Sequence, residues 1–260
     1  MKIHSTAIIS KTVELASDVS IGPFSVITGR VRIDSGTRIE NGVTIGSDYG
    51  VVEIGKDNHF LSGAVIGGPP QDLSYKGDST KLIIGDKNII REFSTINCGT
   101  VKGGGTTSIG NECMFMAYVH VAHDCQFGNN VVVANSTQFA GHVEVEDYVR
   151  IGGMVGITQF VRIGKFAYIG GGAEINKDIL PFSIAEGSWA KARAANKVGM
   201  TRAGFSKDEV ENIYRALRAI IMGHRTIDQA IKKIQDDCKL SSQIQYIIDF
   251  VKSSENGIAR

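Results

Sequence analysis

Little in this chain suits it to a membrane, a disulfide framework or a nucleic-acid groove. No apolar run approaches the ~20 residues that a membrane-spanning helix needs. The opening Met1-Lys2-Ile3-His4 lacks the apolar stretch of a secretory signal. Charge of one sign is not in excess, with 28 basic against 27 acidic residues. No overall field therefore draws the chain onto nucleic acid or an anionic surface. The four cysteines, Cys98, Cys113, Cys125 and Cys238, show no metal-type pairing. A chain of 260 residues needs no disulfide framework, so a reduced, cytoplasmic setting is expected. Proline is scarce, at 4 residues, while glycine is abundant, at 31. Length fits one domain, or a large and a small one.

The glycines belong to a repeat. Every sixth residue from Ile3 is aliphatic: Ile3, Ile9, Leu15, Ile21, Ile27, Ile33, Ile39, Ile45. The phase slips between Ser47 and Val52, resumes at Ile54, Phe60 and Ile66, and again at Ile84, Ile90 and Ile96. From Ile109 it runs unbroken through Phe115, Val121, Phe127, Val133, Phe139, Val145, Ile151, Ile157, Ile163 and Ile169 to Ile175. A second row, four residues after each key aliphatic, is small or β-branched: Ala7, Val13, Val19, Ser25, Val31, Thr37, Val43. Period six is neither helical nor ordinary strand periodicity. It is the signature of a parallel β-helix, with one short strand and one turn per hexad and three hexads to a triangular coil. Glycine, Asn and Asp after the strands are expected to supply positive φ at the corners.

Three interruptions break the rhythm: the slip at Ser47 to Val52, a loop at 67–82 holding Pro69-Pro70-Gln71-Asp72, and a loop at 97–107 holding Gly103-Gly104-Gly105. Loops inserted in so regular a scaffold are natural carriers of function, or tolerated surface excursions. Pro181 is expected to end the prism. The organisation read from the sequence is a β-helix over 1–182, a polar connector over 183–205 and a small α-helical domain over 206–260. Helix signals there are Ser206-Lys207-Asp208-Glu209 with Gly223 as a stop, Thr226-Ile227-Asp228-Gln229, and an apolar stretch from Ile244 to Val251. Between Lys191 and Arg225 eight basic residues face three acidic ones. That patch reads as a dock for an acidic partner or phosphates, or as a solvated helical face.

Candidate chemistry collects at one place. His120, His123 and Asp124 lie in Tyr118-Val119-His120-Val121-Ala122-His123-Asp124-Cys125, and His142 in Ala140-Gly141-His142-Val143. Gly141 is 18 residues beyond His123, one coil up, and Gln159 is 18 beyond Gly141. These segments therefore stack along one prism edge. Imidazole is suited to take a proton from a hydroxyl near neutral pH. Asp124 next to His123 can hold its tautomer, and the Gly141 N–H can meet an oxyanion. Blander readings are Asp124 as a corner-shaping residue and His142 as a satisfied edge residue. Three histidines can also hold zinc; with no supporting carboxylate beyond Asp124, no metal is expected. His4 and His59 read as surface histidines.

The run His120-Val121-Ala122-His123-Asp124-Cys125, followed by Ala140-Gly141-His142-Val143 and Ile151-Gly152-Gly153-Met154, closely resembles the acyl-carrier-protein–UDP-N-acetylglucosamine O-acyltransferase family. The likeness covers nearly the whole chain. It includes Ile66-Gly67 through Pro70-Gln71-Asp72-Leu73, Ile90-Arg91-Glu92, Gly99-Thr100-Val101 with the triple glycine, Asp178-Ile179-Leu180-Pro181-Phe182, and Arg202-Ala203-Gly204-Phe205-Ser206. The resemblance implies a mainly β protein, a left-handed parallel β-helix of hexapeptide repeats with a small C-terminal helical domain. It implies a homotrimer with grooves between prisms and the first committed step of lipid A synthesis. His123 would be general base on the sugar 3-hydroxyl, Asp124 its partner and Gly141 the oxyanion contact. Gln71, Asp72, His120, His142 and Gln159 would line the acceptor and pantetheine groove, Asn196 and Arg202 would hold the nucleotide end, and Gly171 would leave room for a longer acyl chain. The donor would be a 3-hydroxyacyl phosphopantetheine on acyl carrier protein, an acidic partner, with no separate cofactor, no nucleic acid and no stable membrane insertion.

The sequence departs from the family pattern at Thr158, Ser74, Asn97, Trp189 and Ala203. These thin the acceptor and nucleotide contacts and leave a related acceptor open, for example N-acylation of a 3-amino sugar. Trp189 is expected beside the nucleotide region. The sister N-acyltransferase carries an N-terminal uridine-binding domain; with repeats beginning at Ile3, that enzyme is not the one expected. A catalytically silent trimeric scaffold is the remaining reading, against which His123 and Asp124 stand.

Overall fold

The computed structural model describes residues 2–222 and 225–260. Strands of two to four residues wind around a three-sided prism, the left-handed parallel β-helix that the repeat implies. The first face carries Lys2–Ile3, Ser20–Ile21, Arg38–Ile39 and so on to Tyr168–Ile169. The second runs from Ile8–Ile9 to Glu174–Ile175, and the third from Glu14–Leu15 to Arg162–Ile163. Registers keep the key aliphatics in columns: Ile3 pairs with Ile21 and Ile21 with Ile39, while Phe139 pairs with Ile157 and Ile157 with Ile175.

Alternation along each short strand sends one side chain in and the next out. The inward column is dry: Ile27, Ile45, Phe60, Ile66, Val133, Phe139 and Ile169 are fully buried. Each such side chain contributes roughly 1.5–3 kcal/mol by leaving water. Beneath the histidine corner, Phe115, Phe127 and Phe139 pack edge to face at 5.1 and 5.0 Å. The second row is also buried from Val19 on, and its hydroxyls are satisfied across the coil. Ser25 Oγ donates to the Glu40 carbonyl at 2.7 Å and Thr37 Oγ1 to the Gly55 carbonyl at 3.1 Å.

The corners extend one expectation. Positive φ is adopted there by glycines such as Gly36, Gly42 and Gly63 and by Asp57, Asp124 and Asn130, as expected, but also by larger residues, among them Phe24, Phe93, Tyr118, His142, Phe160 and Phe166. Some glycines directly after the key aliphatics have another role. At Gly110 a Cβ would lie 2.5 Å from the Gly128 carbonyl oxygen, and at Gly164 it would lie 2.7 Å from the Pro181 nitrogen. Successive coils approach too closely there for any side chain.

All three interruptions fall at one corner, between second-face and third-face strands. They separate Thr44–Ile45 from Val51–Ile54, Val65–Gly68 from Lys81–Ile84, and Thr95–Asn97 from Thr106–Ile109. The next turns at that same corner are Ala122–Cys125, Ala140–Val143 and Thr158–Val161. The irregular segments thus lie immediately below the histidine edge.

Past Pro181 the first face gains one more parallel strand, Ser183–Glu186, which turns back as Lys191–Ala195. The segment expected as a polar connector is therefore a hairpin, followed by helix α1 (Lys197–Arg202). Helices α2 (Lys207–Ile221), α3 (Ile227–Asp237) and α4 (Ser242–Lys252) follow. Thr226 and Gln229 form a reciprocal capping box. Ser206 caps α2, but the Glu209 carboxylate accepts from Ser241 Oγ at 2.6 Å instead of reaching back to the cap. The stop expected at Gly223 lies outside the described residues; α2 ends at Ile221 with Met222 as its cap.

Ile213, Leu217, Ile234, Ile247 and Phe250 pack on Leu180 and Phe182 at the end of the prism. Arg162 ties the two together: its guanidinium lies 4.7 Å from the Phe250 ring centre, donates to Ser253 Oγ at 3.0 Å and pairs with Glu144 at 3.3 Å.

Candidate active site

His123 and Asp124 sit side by side at the corner, 6% and 4% exposed, so solvent barely screens what passes between them. His123 Nδ1 lies 2.9 Å from Asp124 Oδ2. A carboxylate only accepts, so Nδ1 donates and Nε2 is left as the basic nitrogen. Asp124 shapes the corner as well as facing the imidazole: its φ is +61° and its N–H donates to Thr107 Oγ1 at 2.8 Å. Both carboxylate oxygens have a further donor. The Thr100 N–H reaches Oδ1 at 2.8 Å and Thr100 Oγ1 reaches Oδ2 at 2.6 Å.

One coil up, Gly141 lies flat against the imidazole, where a Cβ would be 2.5 Å from His123 Cε1 and 2.9 Å from Nε2. The His142 N–H donates to the His123 carbonyl at 3.0 Å, which fixes the spacing of the two turns. Among the described residues the Gly141 N–H has no protein acceptor. The His142 ring stacks on Phe160 at 4.6 Å and meets His123 edge-on at 5.1 Å, with Nε2 3.7 Å from Asp124 Oδ2. Burial lowers its pKa, opposed by the Asp124 charge. His120 Nδ1 lies 2.7 Å from Thr95 Oγ1, and burial, with the charge of His123, lowers its pKa too. His123, Asp124 and His142 bring one ligand atom each to within 4.8 Å of one another. The carboxylate already accepts from Thr100 and His123, an arrangement suited to steadying an imidazolium.

A groove of about 490 Å³ runs along this corner, lined by Gln71, His120, His123, Gly141, Thr158 and Gln159. Asp72 stands beside it with its carboxylate accepting from the Ser74 N–H and Oγ, both at 2.8 Å, which lowers its pKa. Serine at position 74 therefore pins that carboxylate. Sequence reasoning missed Gln138, Gly156 and Glu174, which also line the groove. They are legible in principle, because the register carries His120 to Gln138, Gly156 and Glu174 in turn. Trp189 lines this groove too, next to Glu174. The Ala190 N–H donates to the Glu174 carbonyl at 2.7 Å and brings the hairpin there.

Three expected residues are elsewhere on the chain. Asn196 and Arg202 line a second groove of about 730 Å³ on the first face, with Tyr148, Arg150 and Tyr168. Asn196 caps α1 and donates to the Phe166 carbonyl at 2.9 Å. Gly171 is at the corner between first and second faces, where a Cβ would lie 3.3 Å from the Gly153 carbonyl oxygen. The thiol beside the dyad is no nucleophile: burial pushes Cys125 up to about 12. In the basic stretch, Lys197 pairs with Glu211 at 3.2 Å and Arg193 with Glu186 at 3.6 Å. His59 is half-buried against Glu40 at 2.8 Å.

Residues 178–259 match the model of the second domain of UDP-N-acetylglucosamine O-acyltransferase. The acyl-carrier-protein–UDP-N-acetylglucosamine O-acyltransferase of Saccharophagus degradans is 43% identical over 99% of this chain and 99% of its own length. That of Thermodesulfovibrio yellowstonii is 41% identical over 100% of this chain and 99% of its own. Among solved structures, the UDP-N-acetylglucosamine acyltransferase of Bacteroides fragilis superposes with a TM-score of 0.94 at 37% identity, covering 99% of both chains. The Moraxella catarrhalis UDP-N-acetylglucosamine O-acyltransferase gives 0.93 at 38% identity over 100% of both.

Proposed function

Because the chain belongs to the acyl-carrier-protein–UDP-N-acetylglucosamine O-acyltransferase family, we propose that it transfers a 3-hydroxyacyl chain from acyl carrier protein to the 3-hydroxyl of UDP-N-acetylglucosamine, the first step of lipid A synthesis. The observation that carries this reading is the buried His123–Asp124 pair at 2.9 Å, with Nε2 free beside the groove. Nε2 takes the proton of the sugar 3-hydroxyl as its oxygen attacks the thioester carbonyl. The Gly141 N–H meets the oxyanion of the tetrahedral intermediate, and Asp124 steadies the imidazolium. Collapse expels the pantetheine thiolate, which takes the proton back from His123. The phosphopantetheine arrives on the donor, so the chain supplies acid–base and oxyanion groups and no separate cofactor.

Gln71, Asp72, His120, His142 and Gln159 serve the acceptor and pantetheine arm, and Asn196 and Arg202 the nucleotide. The last two lie on a different face from His123 in the same chain. A homotrimer accounts for that: a neighbouring copy turns its first face toward this groove. The exposed residues Phe24, Phe93, Tyr118 and Met154, in line along the corner between first and second faces, suit such packing. The basic stretch after Lys191 suits the acidic carrier protein. Among the described residues no helix is long and apolar enough to cross a membrane, and a cytoplasmic site of action follows the reading. Gly171, with no side chain, suits a longer acyl chain.

The test offers purified protein 3-hydroxyacyl carrier protein with UDP-N-acetylglucosamine, and in parallel its 3-amino analogue, and detects products by mass spectrometry. Acylation of the hydroxyl sugar supports the reading. Acylation of the amino analogue alone would replace it with N-acyl transfer, and no product from either would overturn it.

A further inference from the structure

The loop at 97–107 grips the dyad at a residue to which the reaction scheme above gives no role. We propose that Thr100 is a positioning residue that holds the Asp124 carboxylate turned toward His123. The inference rests on the reading of His123 and Asp124 as the acid–base pair.

Two donors from one residue span both carboxylate oxygens: the Thr100 N–H on Oδ1 at 2.8 Å and the hydroxyl on Oδ2 at 2.6 Å. Oδ2 is also the atom that accepts from His123 Nδ1 at 2.9 Å. Rotating the carboxylate out of this plane breaks at least one of the three bonds. The hydroxyl proton has one direction to go, because the Thr100 oxygen itself accepts from the Gly103 N–H at 3.1 Å. That second bond is the N-cap of a short 3-10 turn, Val101–Gly103, with Thr100 extended at φ −116° and ψ 154°. The Thr100 carbonyl also accepts from the Gly105 N–H at 2.8 Å, which closes the loop on itself.

The turn then walls in the carboxylate. A Cβ on Gly103 would lie 2.1 Å from Asp124 Cγ, and one on Gly99 would lie 2.8 Å from Oδ1. Thr100 and Asp124 are each 4% exposed, so the bonds form where water offers little competition. Asp124 needs such support because its neighbour His142 also faces Oδ2, at 3.7 Å, and competes for the carboxylate's orientation.

Steady-state kinetics of Thr100→Val, Thr100→Ser, Asp124→Asn and the Thr100→Val/Asp124→Asn pair test this in the full chain. Losing a buried donor to a charged acceptor is expected to lower kcat about tenfold to a hundredfold in Thr100→Val. KM for the sugar should stay within about twofold, because Thr100 does not line the groove. Thr100→Ser keeps both donors and restores kcat. In the Asp124→Asn background the same Thr100→Val change should cost less than about twofold, since its effect passes through the carboxylate. A Thr100→Val enzyme with full kcat, or a loss that multiplies in full onto Asp124→Asn, overturns the proposal. An Asp124→Asn enzyme near wild type would instead overturn the dyad reading itself. Should Thr100→Val lose its cooperative melt, Thr100→Ala repeats the test with a smaller side chain that also lacks the hydroxyl donor, and must lower kcat about as far.

Discussion

Two loops leave the same corner of the prism, one coil apart, and are used in opposite ways. The loop at 97–107 turns inward, and its Thr100 is 4% exposed with both donors on a carboxylate. The loop at 67–82 turns outward: Leu73 is fully exposed, and Asp72 is held only by Ser74 within its own turn. What separates them is what the next coil presents, an acidic side chain at Asp124 that needs donors, against an open groove mouth. The comparison assigns the first loop to arranging the catalytic pair and the second to meeting substrate.

The largest expected effect falls on the inward loop. Gly103→Ala places a methyl 2.1 Å from Asp124 Cγ and must displace the carboxylate. An initial-rate assay should show kcat down on the order of a hundredfold, the range lost with misplaced general-base catalysis. Gly141→Ala, whose methyl would lie 2.5 Å from His123 Cε1, tilts the imidazole and should cost about tenfold or more in kcat in the same assay. On the outward loop the split reverses. Asp72→Asn should raise KM for the sugar by several-fold, about 1 kcal/mol of uniform binding, with kcat nearly unchanged. A large kcat loss there would erase the distinction between the loops.

The smallest effect is on stability. Burial, and the charge of His123, lower the pKa of His120 in the folded chain. The unfolded chain then binds more protons as pH falls below the ordinary value of ~6.5. Stability should rise with pH through that window and fall on acidification, read as a shift in melting temperature that His120→Gln reduces.

The prism was legible because period six has no competing explanation, and the 18-residue arithmetic that links His123 to Gly141 needs only an unbroken repeat. The same arithmetic from His120 reaches Gln138 and Glu174, so those residues were readable and overlooked. Thr100 was not readable. It lies 24 residues before Asp124, inside an insertion that spoils the coil count, and only the folded loop brings it to the carboxylate. Trp189 is hidden for a similar reason, since a hairpin and not the repeat delivers it to the groove. Gly110 and Gly164 misled because glycine near a turn suggests positive φ, whereas coil-to-coil contact is what excludes a side chain there.

The central claim is a proton on His123 Nδ1, held by Asp124, with Nε2 free to take another. Long-range proton–nitrogen correlation NMR of the chain labelled with nitrogen-15 at histidine, at alkaline pH, reads this directly. The account predicts that the His123 resonances, assigned by their loss in His123→Ala, show a protonated Nδ1 and an unprotonated Nε2, a pattern that weakens in Asp124→Asn and in Thr100→Val. A His123 ring carrying its proton on Nε2 in the unaltered protein would contradict it.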